Sequence, residues 1–386
     1  MNALISLLKL MLSNTKHIPG FIHKNEVYLL AGKVDDAFVN EILERARFYI
    51  PGIKIDVVRV EENEPPIKVI LSRSPILVVG EVKIRKWWPQ KILGNVYNVD
   101  YKRTPHEGWN WHTLADYLFF DKKVIKKSKD RFIKSITNNL GENKDKCYIF
   151  GTGKSLEKAV SHDWSDGYRV VCNTIVRDEE LWSHINPHYI VAGDAIYHFG
   201  HSEFSRAFRK DLLKRLTESN AKFIYPASFH ALVFREMNSI QEQLIPVPNG
   251  TSKEFYHGLI PDFKLPSLGN VLPLLLLPVA CTLSKNTSML GFDGRAPDDK
   301  LFWSNSIKHS YPELMGNLQN AHPKFFEHYL KDQRPENYTK NVHGDELDSL
   351  LTQAELIGWK FILMSKSWTK TLQKRFVSGL FDESRK

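Results

Sequence analysis

The chain of 386 residues is poor in cysteine and has no long hydrophobic run. Cys147, Cys172 and Cys281 are widely spaced and form no CxxC pair, which argues against a disulfide scaffold or a cysteine zinc site and predicts a reducing cytoplasm. Residues 1–12 are apolar but lead into polar residues rather than a cleavage site, so we expect neither a signal peptide nor a membrane span. Residues 271–283 form the longest apolar run, which contains two prolines and is too short to span a bilayer. We expect that run to be a buried core segment.

Signatures of nucleic-acid-binding folds are also missing: the sequence has no RNP aromatic pair, no zinc knuckle and no KH-type GXXG loop in context. The charge, in contrast, is clearly of one sign, with a formal net charge of +9. Such a charge suits nucleic acid, an anionic membrane surface or a phosphorylated substrate, and it does not by itself distinguish these partners. Because no nucleic-acid motif accompanies the charge, we expect no nucleic-acid partner.

Apolar and polar stretches alternate along the chain as in an α/β protein. Before residue 140, the pattern predicts a helix over 35–49 and strands over 27–31, 53–60, 67–71, 76–79 and 96–99. We interpret residues 1–140 as a small α/β N-terminal domain of unknown role. The lysine-rich stretch 121–134 is expected to be a solvated helix that joins two domains, or alternatively a basic face toward an anionic membrane.

The alternation is more regular after residue 140. It predicts helices over 179–185, 204–217 and 345–357 and strands over 147–150, 168–172, 189–192, 222–225, 287–290 and 359–364. This order predicts a Rossmann-like, mainly parallel sheet with helices on both faces. We therefore expect residues 141–386 to form a single nucleotide-binding catalytic domain with a basic C-terminal tail.

The turn after the strand 147–150 contains Gly151, Thr152, Gly153 and Ser155. The glycines allow a tight turn and close approach to a ligand, and Ser155 is expected to cap the following helix, whose free N–H groups attract an anion. The turn is neither a P-loop nor a full GxGxxG motif, because Leu156 stands at the third glycine position. A tight turn without a ligand is the alternative.

Two further strands are predicted to end in polar residues, Asn173 and Asp194. Since the carboxyl ends of parallel strands meet at one edge of a sheet, we expect both to lie near Gly151 and to line a ligand cleft. In the alternative interpretation, Asn173 and Asp194 only cap the helices that follow them.

The segments FGTGKSLE, RVVCNTIV, GDAIYHF, SLGN and MLGFD follow in this order, and a histidine precedes a terminal helix–strand pair. Together they resemble the bacterial sialyltransferases of glycosyltransferase family 42. They are also similar to the related motility-associated flagellin glycosyltransferases and archaeal pterin pyrophosphokinases. Those proteins carry G-x-G-x-S-L, C-N or D-T, a TSG-like stretch and S-G-x-D in the same order. The resemblance covers about residues 147–366 and implies a GT-A-variant catalytic domain.

The resemblance implies a site for a CMP-sugar. His343 takes the position of the family's general base, a role that suits a group titrating near neutral pH, and His309 and His322 are the alternatives. The nucleotide-binding residues that the resemblance and the strand ends imply are Gly151, Thr152, Gly153, Ser155, Asn173, Asp194, Ser267, Gly269, Asn270 and Asp293.

The chain departs from the family at two places. Thr152 stands where the family has asparagine, and the tyrosines that assist the leaving phosphate after S-G-x-D are missing. Arg295 or Lys300 could neutralise that phosphate by charge instead, and we take Arg295 as the second catalytic residue. The Asp298–Asp299 pair could alternatively bind Mg²⁺, although acidic residues in a surface loop are the simpler interpretation.

The resulting hypothesis is a cofactor-free and metal-independent, inverting glycosyltransferase. It would move a sialic-acid-like (nonulosonic) sugar from a CMP donor to a cell-surface glycan, in lipopolysaccharide or capsule biosynthesis. We expect it in the cytoplasm, with the basic and aromatic residues 366–376 resting on the inner membrane. The alternatives are a Mg²⁺-dependent, pterin-type diphosphokinase and a non-catalytic nucleotide-binding assembly protein.

Overall fold

The computed structural model describes residues 25–60, 65–139, 145–260, 262–296, 299, 307–330 and 345–380. Two compact units are present. The first contains the described residues up to Phe120 together with Gln319–His328, and the second contains Asp121–Leu318 and the described residues beyond Tyr329. Within the described ranges, none of the helices combines the length and the apolar composition needed to cross a membrane.

The first unit contains a four-stranded parallel sheet in the order β2-β1-β3-β4. Its strands are β1 (Glu26–Ala31), β2 (Lys54–Arg59), β3 (Ile76–Val79) and β4 (Val96–Asn98), and the longest helices of the unit are Asp36–Tyr49 and Glu107–Phe119. The strand predicted over residues 67–71 is wrong, because Ile67–Leu71 forms a short helix that begins after Pro66. Four apolar residues and one lysine in a run of five are too few to show a periodicity, so their pattern fits either element.

A distant part of the sequence completes this first unit. The Arg45 guanidinium donates a hydrogen bond to the carbonyl oxygen of Ala321 (2.8 Å). The His322 ring is bonded to the buried carboxylate of Glu107, and the Phe325 ring packs against Trp109 with centroids 5.8 Å apart. These contacts join residues more than 200 positions apart in sequence. Sequence patterns did not predict them.

The strands of the second unit are β5 (Lys146–Phe150), β6 (Tyr168–Cys172), β7 (Tyr189–Val191), β8 (Lys222–Pro226), β9 (Leu244–Val247), β10 (Asn286–Leu290) and β11 (Lys360–Leu363). They form a seven-stranded sheet in the order β11-β10-β5-β6-β7-β8-β9, and every pair of neighbours is parallel. Together with the flanking helices, this confirms the predicted α/β class. One strand was not predicted: β9 contains Pro246, which is tolerated because β9 lies at the edge of the sheet.

The lysine-rich segment forms the helix Lys122–Asn139, which packs on β9. The Ser128 hydroxyl donates to the carbonyl oxygen of Pro246 (2.8 Å), and Arg131 donates to that of Leu244 (3.3 Å). Phe132 on the same helix is fully buried in the core. The segment is a helix with mostly exposed lysines, as expected, but its other face is packed into the second unit, so it is more than a connection between domains.

The long apolar run forms a π-helix, Leu272–Leu276, that continues as the α-helix Leu277–Leu283. Most of its side chains are buried, which confirms the predicted core segment. Its Leu275 lies so close to the end of β7 that a Cβ on Gly193 would be 2.9 Å from Leu275 Cδ1. The glycine thus lets this helix approach the edge of the sheet at which the strands end.

Candidate functional site

The order of the strands reverses next to β5. From β5 to β9 the chain adds strands in one direction, and then β10 returns to the other side of β5 and is followed by β11. In open α/β sheets, ligands bind outside the carboxyl ends of the strands at such a switch point. The candidate site therefore lies at the carboxyl edge of the sheet, where residues 151–155 follow β5 and residues 291–295 follow β10.

Glycines bring these two loops into direct contact. The Gly151 N–H donates to the carbonyl oxygen of Leu290 and the Gly153 N–H to that of Gly291, each at 2.8 Å. A Cβ on Gly151 would lie 2.4 Å from the Gly291 carbonyl oxygen, and a Cβ on Gly291 would lie 2.3 Å from that of Gly151. Gly291 also has a left-handed φ of 80°. These glycines have a packing role, and the contacts of Gly151 and Gly153 with a nucleotide stay a prediction.

The predicted Ser155 cap is wrong. The helix after β5 is a 3-10 helix, Lys154–Ser161, with Gly153 at its N-cap and no side-chain cap. Ser155 N–H instead donates to Asp293 Oδ2 (2.7 Å), and the Ser155 hydroxyl bonds the other oxygen of the Asp293 carboxylate and lies 2.8 Å from Ser365 Oγ. The protein's own carboxylate thus takes one of the donors that would hold a phosphate at this helix end.

Asn173 at the end of β6 has two unusual properties. Its φ is 53°, in the left-handed region, and its Oδ1 is buried without a hydrogen-bond partner among the described residues. The left-handed backbone costs on the order of 1 kcal/mol. A buried acceptor without a donor costs about 1–3 kcal/mol. The 3-10 helix Asn173–Arg177 has no side-chain cap, so helix capping does not account for the left-handed backbone and buried oxygen of Asn173. Strain and an unmet acceptor in one residue are features of ligand-binding positions.

Asp194, which follows β7, differs from Asn173 because its side-chain oxygen has hydrogen-bond partners. Its Oδ1 accepts hydrogen bonds from the N–H groups of Ile196 and Tyr197, both at 2.8 Å. Its own N–H donates to the buried His198 ring (3.3 Å). These bonds fit the alternative in which Asp194 caps the turn after its strand. A nucleotide contact by Asp194 stays a prediction.

Ser267, Gly269 and Asn270 precede the π-helix whose Leu275 contacts the end of β7. Ser267 and Gly269 are exposed, and a Cβ on Gly269 would meet nothing within 4 Å. Asn270 has a φ of 69°, and its Oδ1 accepts from the N–H of Leu272 (2.9 Å), which fixes the start of the helix. Two of the three predicted residues therefore face open space.

His309 is the predicted histidine that the structure brings to this edge. It is fully buried, its carbonyl oxygen accepts from the Thr174 hydroxyl (2.6 Å), and its Nδ1 lies 3.8 Å from Asp178 Oδ2. Burial lowers the pKa of the His309 imidazole, and the neighbouring Asp178 carboxylate partly offsets that effect. The ring is therefore neutral at neutral pH. His322 belongs to the first unit, and His343 lies outside the described residues.

Arg295, the predicted cation for the leaving phosphate, is buried, and so is Thr152. Arg295 donates from Nε and Nη2 to the carbonyl oxygen of Asp299, at 3.2 and 3.0 Å, so the guanidinium is held by its own loop. Lys300 and Asp298 lie outside the described residues. Across the part of the chain that the structure describes, no group of three or more histidine, cysteine, aspartate or glutamate residues could hold a metal ion.

No protein-family model matches the chain, and no curated protein matches it. Two solved structures are similar in part. One is the sialyltransferase CstII from Campylobacter jejuni in complex with a substrate analogue, cytidine-5'-monophosphate, at 11% identity and a TM-score of 0.31, over 60% of this chain and 88% of that chain. The other is a proposed aspartate carbamoyltransferase from Leishmania major Friedlin, at 11% identity and a TM-score of 0.16, over 63% and 92%. TM-scores of this size do not establish a shared fold.

Proposed function

We propose that this protein is a glycosyltransferase that binds a CMP-sugar at the carboxyl edge of the seven-stranded sheet. It transfers a sialic-acid-like sugar to a cell-surface glycan with inversion and without a metal. The observation that carries the proposal is Asn173 beside the switch point, with its left-handed backbone and a buried Oδ1 that has no hydrogen-bond partner among the described residues. Capping of the following 3-10 helix does not account for that arrangement, whereas a nucleotide would supply the missing donor from a base amino group or a ribose hydroxyl.

The neighbouring positions suit the rest of a nucleotide. The turn after β5 is adjacent to Asn173, because β5 and β6 are neighbours, and its Lys154 is exposed at the start of the 3-10 helix. A phosphate there would meet the lysine and the positive helix end, although Asp293 already takes the Ser155 N–H. The phosphate therefore lies toward Thr152 and Lys154 in this proposal, away from the carboxylate.

The reaction needs a base and a stabilised leaving group. An acceptor hydroxyl loses its proton as it attacks the anomeric carbon, and the CMP phosphate leaves with the bonding electrons. His343 is the proposed base, and the neutral imidazole of His309 is the alternative. Arg295 and Lys154 are the proposed cations for the departing phosphate.

The test compares Asn173→Gly with Asn186→Gly, which also replaces a left-handed asparagine (φ 46°). Asn186 precedes β7 and so lies toward the opposite edge of the sheet. Glycine relieves the backbone strain at both positions, so both variants should fold at least as well as the wild type. We expect Asn173→Gly to weaken CMP binding about tenfold in titration calorimetry, through loss of a hydrogen bond, while Asn186→Gly binds CMP normally.

The wild type should prefer CMP to UDP, GDP and ATP. It should also release CMP from CMP-sialic acid in the presence of EDTA. A wild type that binds no cytidine nucleotide would refute the proposal, and so would an Asn173→Gly variant with unchanged CMP affinity. Activity that EDTA abolishes would instead favour the diphosphokinase alternative.

A further inference from the structure

The loop after β11, residues 364–369, is fixed to the loop after β10. The Trp368 N–H donates to the carbonyl oxygen of Asp293 (2.7 Å). At Gly294, whose φ is 72°, a Cβ would lie 2.6 Å from Thr369 Oγ1, so the two loops are in close contact. Ser365 Oγ lies 2.8 Å from Ser155 Oγ, which adds a contact to the turn after β5. The β11 loop is thus a third wall of the switch-point region.

Hydrogen bonds between residues 367 and 373 also fix the conformation of this loop. The Ser367 N–H donates to the side-chain oxygen of Gln373 (2.7 Å), the Thr369 N–H donates to Ser367 Oγ (3.0 Å), and the Thr369 carbonyl oxygen accepts from the N–H groups of Leu372 and Gln373. A loop with these bonds presents its side chains in defined positions.

Trp368 on this rigid loop leaves 61% of its surface exposed. Lys366, two residues earlier, is exposed, and so is Lys154. Each lysine is the direct chain neighbour of one of the two serines in contact, Ser365 and Ser155. An exposed indole and two exposed lysines therefore lie on the contacting loops that follow β11 and β5 at the carboxyl edge. A flat apolar ring surface next to positive charge suits a sugar that carries a negative group.

The order of the strands gives the distance between the Asn173 end and the Trp368 end of the candidate site. From β6, which ends at Asn173, to β11, which precedes Trp368, there are three strand-to-strand steps. At about 4.8 Å for each step, the separation is roughly 14 Å, which matches a nucleoside monophosphate that carries one sugar. A base at Asn173 and a phosphate at the β5 turn therefore place the sugar at the β10 and β11 loops.

We infer that Trp368 is the platform for the transferred sugar and that Lys366 pairs with the negative group of that sugar. This inference rests on the proposed function and adds to it the position of the sugar and the residue that pairs with its negative group. Asn173 contacts the nucleotide, whereas Trp368 contacts only the sugar. The two residues thus affect different parts of one ligand.

The experiment measures dissociation constants for CMP and for CMP-N-acetylneuraminic acid by titration calorimetry. The variants are Trp368→Ala, Trp368→Phe and Lys366→Gln, and the control is Trp87→Ala, which replaces a tryptophan of the first unit that is 53% exposed. We expect Trp368→Ala to weaken binding of the CMP-sugar about tenfold, as one stacked ring contributes, and to leave CMP binding unchanged. Phenylalanine should restore most of the affinity, and Lys366→Gln should weaken only the CMP-sugar.

The outcomes separate the two proposals. If the wild type binds CMP while Trp368→Ala binds the CMP-sugar as tightly as the wild type does, the sugar platform is refuted and the nucleotide site stands. Equal losses for CMP and the CMP-sugar would also refute it, because the residue would then act on the nucleotide or on the fold. A wild type that binds neither compound refutes the proposed function together with this inference.

Discussion

Replacement of Gly291 by alanine tests whether the glycines at the switch point pack the loops after β5 and β10 against each other. The new Cβ would lie 2.3 Å from the Gly151 carbonyl oxygen, and real Cβ contacts are essentially never below 3.0 Å. The loops must separate by most of an ångström, which costs about 1–3 kcal/mol as overpacking does elsewhere. The left-handed φ of 80° adds on the order of 1 kcal/mol for a residue with a Cβ. We expect Gly291→Ala to lower the free energy of unfolding by about 2–4 kcal/mol.

Two companion variants sharpen this prediction. Gly151→Ala meets the same kind of obstruction, 2.4 Å from the Gly291 carbonyl oxygen, without the left-handed backbone, so it should cost about 1 kcal/mol less than Gly291→Ala. Gly316→Ala is the control, because it lies in the helix Met315–Ala321 with nothing within 4 Å, and it should stabilise by about 0.5–1 kcal/mol.

Urea unfolding followed by far-UV circular dichroism measures all three variants. If Gly291→Ala and Gly151→Ala unfold at the same urea concentration as the wild type, the packing argument is wrong. A Gly151→Ala variant that keeps its stability and loses CMP binding would show that the glycine serves the ligand alone.

Three further predictions concern the rest of the molecule. His322→Phe removes the hydrogen-bond partner of the buried Glu107 carboxylate and leaves Arg45 Nη1, 3.8 Å away, as its ion-pair partner, so it should destabilise the first unit by about 1–3 kcal/mol in urea unfolding; an unchanged stability would contradict a contribution from the His322–Glu107 bond. Burial lowers the pKa of His198 to about 3 in the folded protein, whereas the unfolded chain binds a proton at this residue near pH 6.5. The free energy of unfolding should therefore fall as the pH drops below about 6.5. His198→Gln should flatten this fall between pH 7 and pH 5 in urea unfolding. Ser128→Ala removes a buried hydrogen bond to Pro246 and should cost about 1 kcal/mol in thermal unfolding, whereas an unchanged stability would contradict the packing of that helix on β9.

The α/β class was predictable because most central strands are short apolar runs bounded by turns, as in β6, where every residue is buried. The same signal failed at β9, because a proline in a four-residue run is not typical of a strand and only its edge position permits it. It also failed at Ile67–Leu71, where a helix follows Pro66. Periodicity needs more residues than these two elements contain.

The candidate site was predictable in its location and less so in its contacts. Strand ends alone placed Asn173 at the carboxyl edge, but its positive φ and its unpartnered oxygen depend on the folded surroundings. Ser155 looked like a cap from its neighbours, whereas its partner Asp293 is 138 positions away in sequence. The glycines likewise looked like ligand contacts, and their obstruction by the loop after β10 is a long-range property. Local patterns cannot specify such partners.

The completion of the first unit by Gln319–His328 has a consequence for synthesis of the chain. When Phe120 has been translated, the residues that bond Arg45 and Glu107 are still about 200 codons away. At about 5–20 residues per second, roughly 10–40 s pass before they are made. During that interval, Glu107 is without its histidine partner and Arg45 is without its backbone acceptor. Much of the second unit must therefore be synthesised before the first unit can be completed.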